Sequence, residues 1–315
     1  MHRIMSVGIA TLDIVNVVEE YPGEDSEVRA ISHHVRRGGN AANTADALAQ
    51  LGHESRWLGV LADDPDASHI TGALEAAGVD YTGAPVIRGG KVPTSYITLS
   101  RATGSRTIVH YRDLRELAAE DFSSIDLDGV EWLHFEGRDP ASCLAMIADA
   151  RRRAPGVRIS AEIEKPRPEI DALAPAADVV FYSRAYAESL GYRDGESFLN
   201  GHVRGVLGRS GMAGGRSTTG GSDALPGSGT PATTAPPVFC AWGAGGAWLR
   251  LPDGTLHHEP PRPVERIEDT IGAGDVFNAA AIHVLAEGGT PLEAIREANR
   301  IAAKKCTLQG ITIHS

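Results

Sequence analysis

The densest concentration of chemistry in the sequence is the run Glu268-Asp269-Thr270-Ile271-Gly272-Ala273-Gly274-Asp275-Val276-Phe277-Asn278. Three consecutive small residues, Gly272, Ala273 and Gly274, let backbone N–H groups converge on one point. The apolar residues behind them predict a helix whose positive dipole end faces the same point, which is the chemistry of an anion hole. The next residue is a carboxylate. A negative charge beside a held anion has a use if it takes the proton of an incoming hydroxyl. An aspartate in the first turn of a helix also serves as an ordinary cap, so by itself the run admits both readings of Asp275.

A second cluster opens with Arg37-Gly38-Gly39-Asn40 and leads into a predicted helix over 41–51, with Ala42, Ala45, Leu48 and Ala49 on one face and Gly52 as its stop. Gly38 and Gly39 allow close backbone approach, and the amides of Asn40 and Asn43 both donate and accept, which suits a polyhydroxylated ligand; Asn40 also fits an ordinary N-cap. Asp13 follows the apolar run 4–10, at the carboxyl end of a predicted strand, where α/β sheets bind ligands and where turn residues also collect. Glu136, Glu162 and Glu164 close two further predicted strands; they could organise Mg2+ through waters or pair with Arg138, Lys165 and Arg167.

The elements that must position these residues alternate along the chain. Strands at 132–136, 157–163 and 179–183, with helices at 140–153 and 184–190, predict a mainly parallel sheet covered on both faces. Two stretches break the alternation. Residues 14–18 and 27–32 read as short strands around Tyr21-Pro22-Gly23-Glu24-Asp25, and 94–99 with 106–111 read as a hairpin, so segments of about 14–38 and 92–113 form a small β-sheet lid, a device that excludes water from chemistry. Residues 208–237 turn abruptly to Gly, Ser, Thr and Pro, too polar for a core, and are expected to be a disordered insertion. After it come strands at 238–243 and 247–251 joined by Ala244-Gly245-Gly246, then helices at 279–287 and 291–305.

The bulk properties exclude several functions. With 30 Lys+Arg against 41 Asp+Glu the formal charge is −11 and no basic stripe occurs, which argues against a nucleic-acid partner. No apolar span reaches membrane length, and the N-terminus lacks a leader's cleavage pattern. Cys143, Cys240 and Cys306 are widely spaced without a CxxC, as expected of reduced thiols in a cytoplasmic protein with no zinc site. Gly90-Lys91 is followed by Val92, so no P-loop is present, and there is no G-x-S-x-G elbow, H-E-x-x-H or H-R-D/D-F-G set.

Taken together, Gly38-Gly39-Asn40-Ala41-Ala42-Asn43 and Asp269-Thr270-Ile271-Gly272-Ala273-Gly274-Asp275 resemble the two signatures of the ribokinase-like (PfkB) sugar kinases. Further blocks, among them Tyr21 to Glu27, Gly104 to Ile108, His134 to Arg138, Glu162 to Arg167, Cys240 to Trp242 and Lys304 to Gly310, are similar to the ketohexose-phosphorylating branch of that family and keep its order along nearly the whole chain. The resemblance implies a three-layer α/β/α ribokinase-like fold and ATP-dependent phosphorylation of the 1-hydroxyl of fructose or a related ketose. It places Asp13, Asp25, Gly39, Asn40 and Asn43 on the sugar; Arg106 and Gly243, Ala244, Gly245 and Gly246 on the nucleotide; Gly272, Ala273 and Gly274 in the anion hole; and Asp275 as catalytic base. It implies ATP and Mg2+, leaves K+ open as a further ion, and implies a homodimer formed through the lid. No direct metal ligand follows, because the N-x-x-E element of many family members is missing from Tyr182-Ser183-Arg184-Ala185-Tyr186. The alternatives are a family member acting on another sugar or a nucleoside, or a non-catalytic sugar sensor on the same fold. As base, Asp275 is expected to be held ionised by the helix N-terminus.

Overall fold

Val179, Val180, Phe181 and Tyr182 are all buried, and they face alternately into two different cores, so their strand lies between two layers. The computed structural model describes residues 1–213 and 235–313. In chain order its strands are β1 (Arg3–Val7), β2 (Thr11–Val18), β3 (Ser32–Gly38), β4 (Glu54–Leu58), β5 (Leu61–Ala62), β6 (Val86–Ile87), β7 (Thr94–Ser100), β8 (Arg106–Tyr111), β9 (Trp132–Glu136), β10 (Arg158–Ile163), β11 (Val179–Ser183), β12 (Val238–Ala241), β13 (Ala247–Arg250) and β14 (Leu256–Glu259). The α-helices are α1 (Asn40–Gln50), α2 (Ala67–Ala76), α3 (Ala119–Ser123), α4 (Pro140–Arg153), α5 (Arg184–Ser189), α6 (Gly195–Phe198), α7 (Arg204–Ala213), α8 (Ala273–Ala286) and α9 (Pro291–Lys305).

Eight strands form the central sheet in the order β14-β13-β12-β11-β10-β9-β1-β4, parallel from β4 to β12 and antiparallel in β13 and β14. One face packs Leu133, Phe135, Val180 and Tyr182 against Met146 and Ile147 of α4 and Phe198 of α6. The other packs Trp132, Val179, Phe181 and Phe239 against Leu48 of α1, Val276 and Ile282 of α8 and Ile295 of α9. This is the expected three-layer α/β/α arrangement. The chain leaves β1 on one side for β4 and later returns on the other side with β9, so a crevice opens at the carboxyl end of β1.

A separate four-stranded sheet, β3-β2-β7-β8, stands over that end. Its root is apolar: Ala10 and Leu12 pack with Ala41, Ala42 and Ala45 of α1, and Ile70, Leu74 and Val92 complete the cluster. The hairpin expected at 94–99 and 106–111 is present as β7 and β8.

Three expectations shift. The strand expected at 27–32 lies instead at Ser32–Gly38, because β3 pairs with β2 from Val17↔Ser32 to Thr11↔Gly38 and residues 27–30 have no strand left opposite them. Val28 and Ala30 mimic strand alternation but are exposed. The helix expected from 279 starts earlier, at Ala273, so the small residues of the motif are themselves its first turn. Helix α7 runs to Ala213, into the stretch expected to be an insertion at 208–237, of which residues 214–234 lie outside the described residues.

Gly39, not Asn40, occupies the cap position of α1, at φ 96. A Cβ there would lie 2.4 Å from the Ile9 carbonyl oxygen, so both the backbone angle and the space require glycine. Replacing Gly39 with Ala is expected to destabilise the fold by about 2 kcal/mol or more, read as a lower midpoint in urea unfolding.

Candidate active site

Asp275 sits in the first turn of α8 and is buried. Its Oδ2 accepts a 2.7 Å hydrogen bond from the Asn43 amide nitrogen, and the Asn43 amide oxygen accepts one of 2.9 Å from Arg37 Nη1. Arg37 also donates to Asp46 Oδ2 at 2.6 Å, so the guanidinium fixes which way the Asn43 amide points. The sequence supplies this chain locally. Arg37 ends a lid strand, two glycines turn the backbone, and Asn43 lies on the first turn of the helix that follows.

Asp13 is drawn into the same group. It is buried, accepts from Thr11 Oγ1 at 2.9 Å, and acts electrostatically on Arg37 together with Asp46 and Asp275. A Cβ on Gly38 would come within 2.2 Å of Asp13 Oδ2, so that glycine makes room for the carboxylate. Asn40 Nδ2 donates to Glu162 Oε2 at 3.3 Å, and Asn278 Nδ2 donates to Glu162 Oε1 at 3.0 Å. The two amides expected from the sequence are therefore each bound to a buried carboxylate.

The electrostatics correct one expectation. The helix N-terminus does not hold the Asp275 carboxyl low: burial pushes it up to about 7, Glu164 and Glu136 add to the rise, and the Asn43 hydrogen bond and Arg37 oppose it. Glu162, also buried, is raised well above the ordinary glutamate range by burial first and by the charge of Asp275 next. Desolvation exceeds the dipole's pull because the carboxylates share one enclosed space.

The remaining acids divide by role. Glu136 accepts from the backbone N–H groups of Ile9 at 2.9 Å and Ala41 at 3.3 Å and pairs with Arg138 Nη1 at 3.3 Å, which makes it a brace between β1, α1 and β9. Glu164 is partly exposed and lies 3.4 Å from Lys165 Nζ.

The segment from Gly272 to Gly274 is open at its second glycine. Gly272 adopts φ 77, where a Cβ would strike Ile311 Cδ1 at 2.3 Å, whereas a Cβ on Gly274 would meet nothing within 4 Å. Gly243, Ala244 and Gly245 form an exposed turn whose Gly245 carbonyl accepts from His258 Nε2 at 2.8 Å; Gly246 is enclosed, since a Cβ there would lie 2.2 Å from the Glu259 carbonyl oxygen. Arg106 is exposed on β8, and Asp25 stands in an exposed turn at φ 57 without a hydrogen bond to the other site residues. Sequence reasoning missed the roles of Arg37 and Asp46; the signal was an arginine directly before a Gly-Gly-Asn helix start, with an acid on the helix's second turn.

Among the described residues, His53, His283 and Glu287 bring ligand atoms within 4.8 Å of one another. Both nitrogens of His53 are already engaged: Nδ1 accepts from the His2 backbone N–H at 3.2 Å, which puts the proton on Nε2, 2.9 Å from His283 Nδ1. Burial pulls His53 down to about 4, in keeping with this neutral chain.

The comparisons with known proteins agree with the geometry. The profile described as pfkB family carbohydrate kinase matches residues 1–197 and 230–315. The chain belongs to that family and is an ATP-dependent sugar kinase. It is 35% identical to ketohexokinase from Mus musculus, over 98% of this chain and 97% of the relative. It is 26% identical to ATP-dependent ribose-1-phosphate kinase from Halopiger xanaduensis, over 98% and 94%. The fold matches Arabidopsis thaliana ribokinase complexed with ribose and ATP, with a TM-score of 0.72 and 18% identity over 98% of this chain and 93% of that one.

As a proton acceptor Asp275 would have to be ionised, so in that role kcat/KM for the sugar is expected to fall as pH drops through about 7 and to level off above it. Asn43→Ala removes a bond that favours the ionised form and is expected to move this limb to higher pH, as steady-state rates between pH 5.5 and 9 would show.

Proposed function

We propose that the protein transfers the γ-phosphoryl group of ATP to the 1-hydroxyl of a ketohexose, with D-fructose as the first candidate and fructose 1-phosphate as product. The observation that carries this reading is the buried Asp275 carboxylate at the open N-terminus of α8, oriented by Asn43. Identity of 35% to a ketohexokinase across nearly the whole chain supports the choice of sugar.

Each group then has a role. Asp13, Asn40 and Asn43 bind sugar hydroxyls at the crevice beside β1, and Gly39 lets the chain approach closely. Asp25 joins them from the lid connection. The sugar's reacting hydroxyl lies between Asp275 and the phosphoryl group, and Asp275 takes its proton as the new P–O bond forms and the bond to the leaving ADP oxygen breaks. The N–H groups of Gly272, Ala273 and Gly274 stabilise the charge on the transferring group. Arg106 approaches the nucleotide from the lid, and the turn 243–246 lines its other side.

Glu136 and Glu162 are committed to hydrogen bonds, whereas Glu164 keeps a partly exposed carboxylate close enough to act on Asp275. Mg2+ carried with ATP would be held by Glu164 and would neutralise charge on the phosphate oxygens. The outer face of the lid sheet exposes Val35, Tyr96, Val109 and Tyr111, an apolar surface that supports a homodimer through the lid. The unpaired thiols of Cys143, Cys240 and Cys306 suit a cytoplasmic setting.

The ribose-1-phosphate kinase relative favours a second reading, in which the acceptor is another sugar. A sugar panel with ATP and Mg2+, followed by NMR of the product, separates them: phosphate on carbon 1 of a ketose is expected, and phosphate on carbon 6, or a preference for ribose derivatives, would overturn the ketohexose assignment. Asp275→Asn is expected to lower kcat by about 10² to 10⁴ while the thermal midpoint stays the same or rises, since a buried charge is lost. Light scattering is expected to give the mass of two chains; a monomeric mass would rule out the lid dimer.

A further inference from the structure

Asp275 is one end of the run 269–275, and the carboxylate at the other end, Asp269, accepts three hydrogen bonds. Its Oδ1 accepts from the Ile271 backbone N–H at 2.8 Å, closing the turn that delivers Gly272. Its Oδ2 accepts from Arg36 Nη1 at 2.6 Å and from the Gly310 backbone N–H at 3.2 Å. Its backbone is held as well: Lys305 Nζ, fully buried, donates to the Asp269 carbonyl at 2.6 Å, and the Asp269 N–H donates to the Cys306 carbonyl at 3.2 Å.

Of these partners only Arg36 belongs to the lid. It sits on β3 next to Arg37, and successive residues of a strand point to opposite faces. Arg37 therefore reaches Asn43 and through it Asp275, while Arg36 reaches Asp269. Two neighbouring side chains on one lid strand are thus fastened to the two ends of the anion-hole motif. Arg36 is opposite Asp13 in the β2–β3 register, so the strand pair that carries it also carries a sugar-facing carboxylate.

We propose that Arg36 is a positioning residue that couples the lid to the anion hole, so that sugar bound under the lid and nucleotide bound at the turn order one another. This rests on the phosphotransfer reading above. The geometry predicts cooperativity between the two substrates, because a lid strand fixed by sugar presents Arg36 to Asp269 in one place, and that fixes the turn whose N–H groups meet the phosphates. Removing Arg36 leaves Lys305, Ile271, Gly310 and Cys306 holding Asp269, so the fold should survive its loss.

The test compares the full-length protein with Arg36→Met, which keeps the aliphatic stem, and Arg36→Lys. Binding of a non-hydrolysable ATP analogue is measured by calorimetry with and without saturating fructose. Fructose is expected to tighten nucleotide binding about tenfold in the wild type, within the usual range of coupling between sites. In Arg36→Met that gain is expected to disappear and kcat to fall about tenfold, with the affinity for fructose in the absence of nucleotide nearly unchanged and Arg36→Lys recovering part of both. Asp269→Asn should reproduce the loss, and the double variant should be no worse than either single one. Full coupling and full kcat in Arg36→Met, or losses that add in the double variant, would overturn the proposal. A wild type inactive on every sugar would instead sink the phosphotransfer reading. In that case hydrogen exchange without ligand still decides on Arg36: faster exchange of the backbone at 269–274 in Arg36→Met supports it, and unchanged exchange rejects it.

Discussion

Everything at the crevice follows from placing a carboxylate where burial opposes its charge. Asp275 is at the end of a helix that favours an anion, yet enclosure raises its proton affinity to the neighbourhood of neutral pH. The balance leaves a group able both to take and to release a proton under ordinary conditions, a property that an exposed aspartate lacks. Its orientation depends on the Asn43 amide, and the amide's orientation depends on Arg37, so the carboxylate is fixed by a hydrogen-bond chain that begins in a different sheet.

That dependence explains the construction around it. The Gly38-Gly39 pair is where the lid strand becomes helix α1, and neither position tolerates a side chain: one would collide with Asp13, the other with the backbone at Ile9 and Ala10. The backbone is brought close so that Arg37, Asn40 and Asn43, three residues within seven of sequence, can face three different acids. Glu136 performs a parallel service in the body, using its carboxylate to accept N–H groups from the end of the β1 crossover and the start of α1. A buried carboxylate with such partners is a structural joint, whereas Glu164 is partly exposed and pairs with Lys165.

Much of this was legible in the sequence because it is local. The strands at 132–136 and 179–183 and the helices at 140–153 and 291–305 have the periods and caps of their elements, and they appear where periodicity puts them. The hairpin at β7 and β8 was equally clear from alternation about Thr103-Gly104. The second lid strand was displaced by several residues, because Val28 and Ala30 alternate like a strand while the pairing partner, β2, ends at Val18. The start of α8 was placed late for a related reason: Gly272, Ala273 and Gly274 look like turn residues, and only packing shows the turn and the helix to be continuous.

By itself the sequence determined the residue types at the site, the two glycine junctions and the layered α/β class, since each is written in contiguous residues whose spacing obeys backbone geometry. Tertiary structure alone decided how those residues act on one another. Asn43 and Asp275 are 232 positions apart, and Arg36 and Asp269 are 233 apart. No local pattern encodes that an amide will meet a carboxylate, or that burial will outweigh a helix dipole. Proton affinity depends on how much water the fold removes and which charges it brings near, and those quantities exist only once the lid strand, α1 and α8 are packed together.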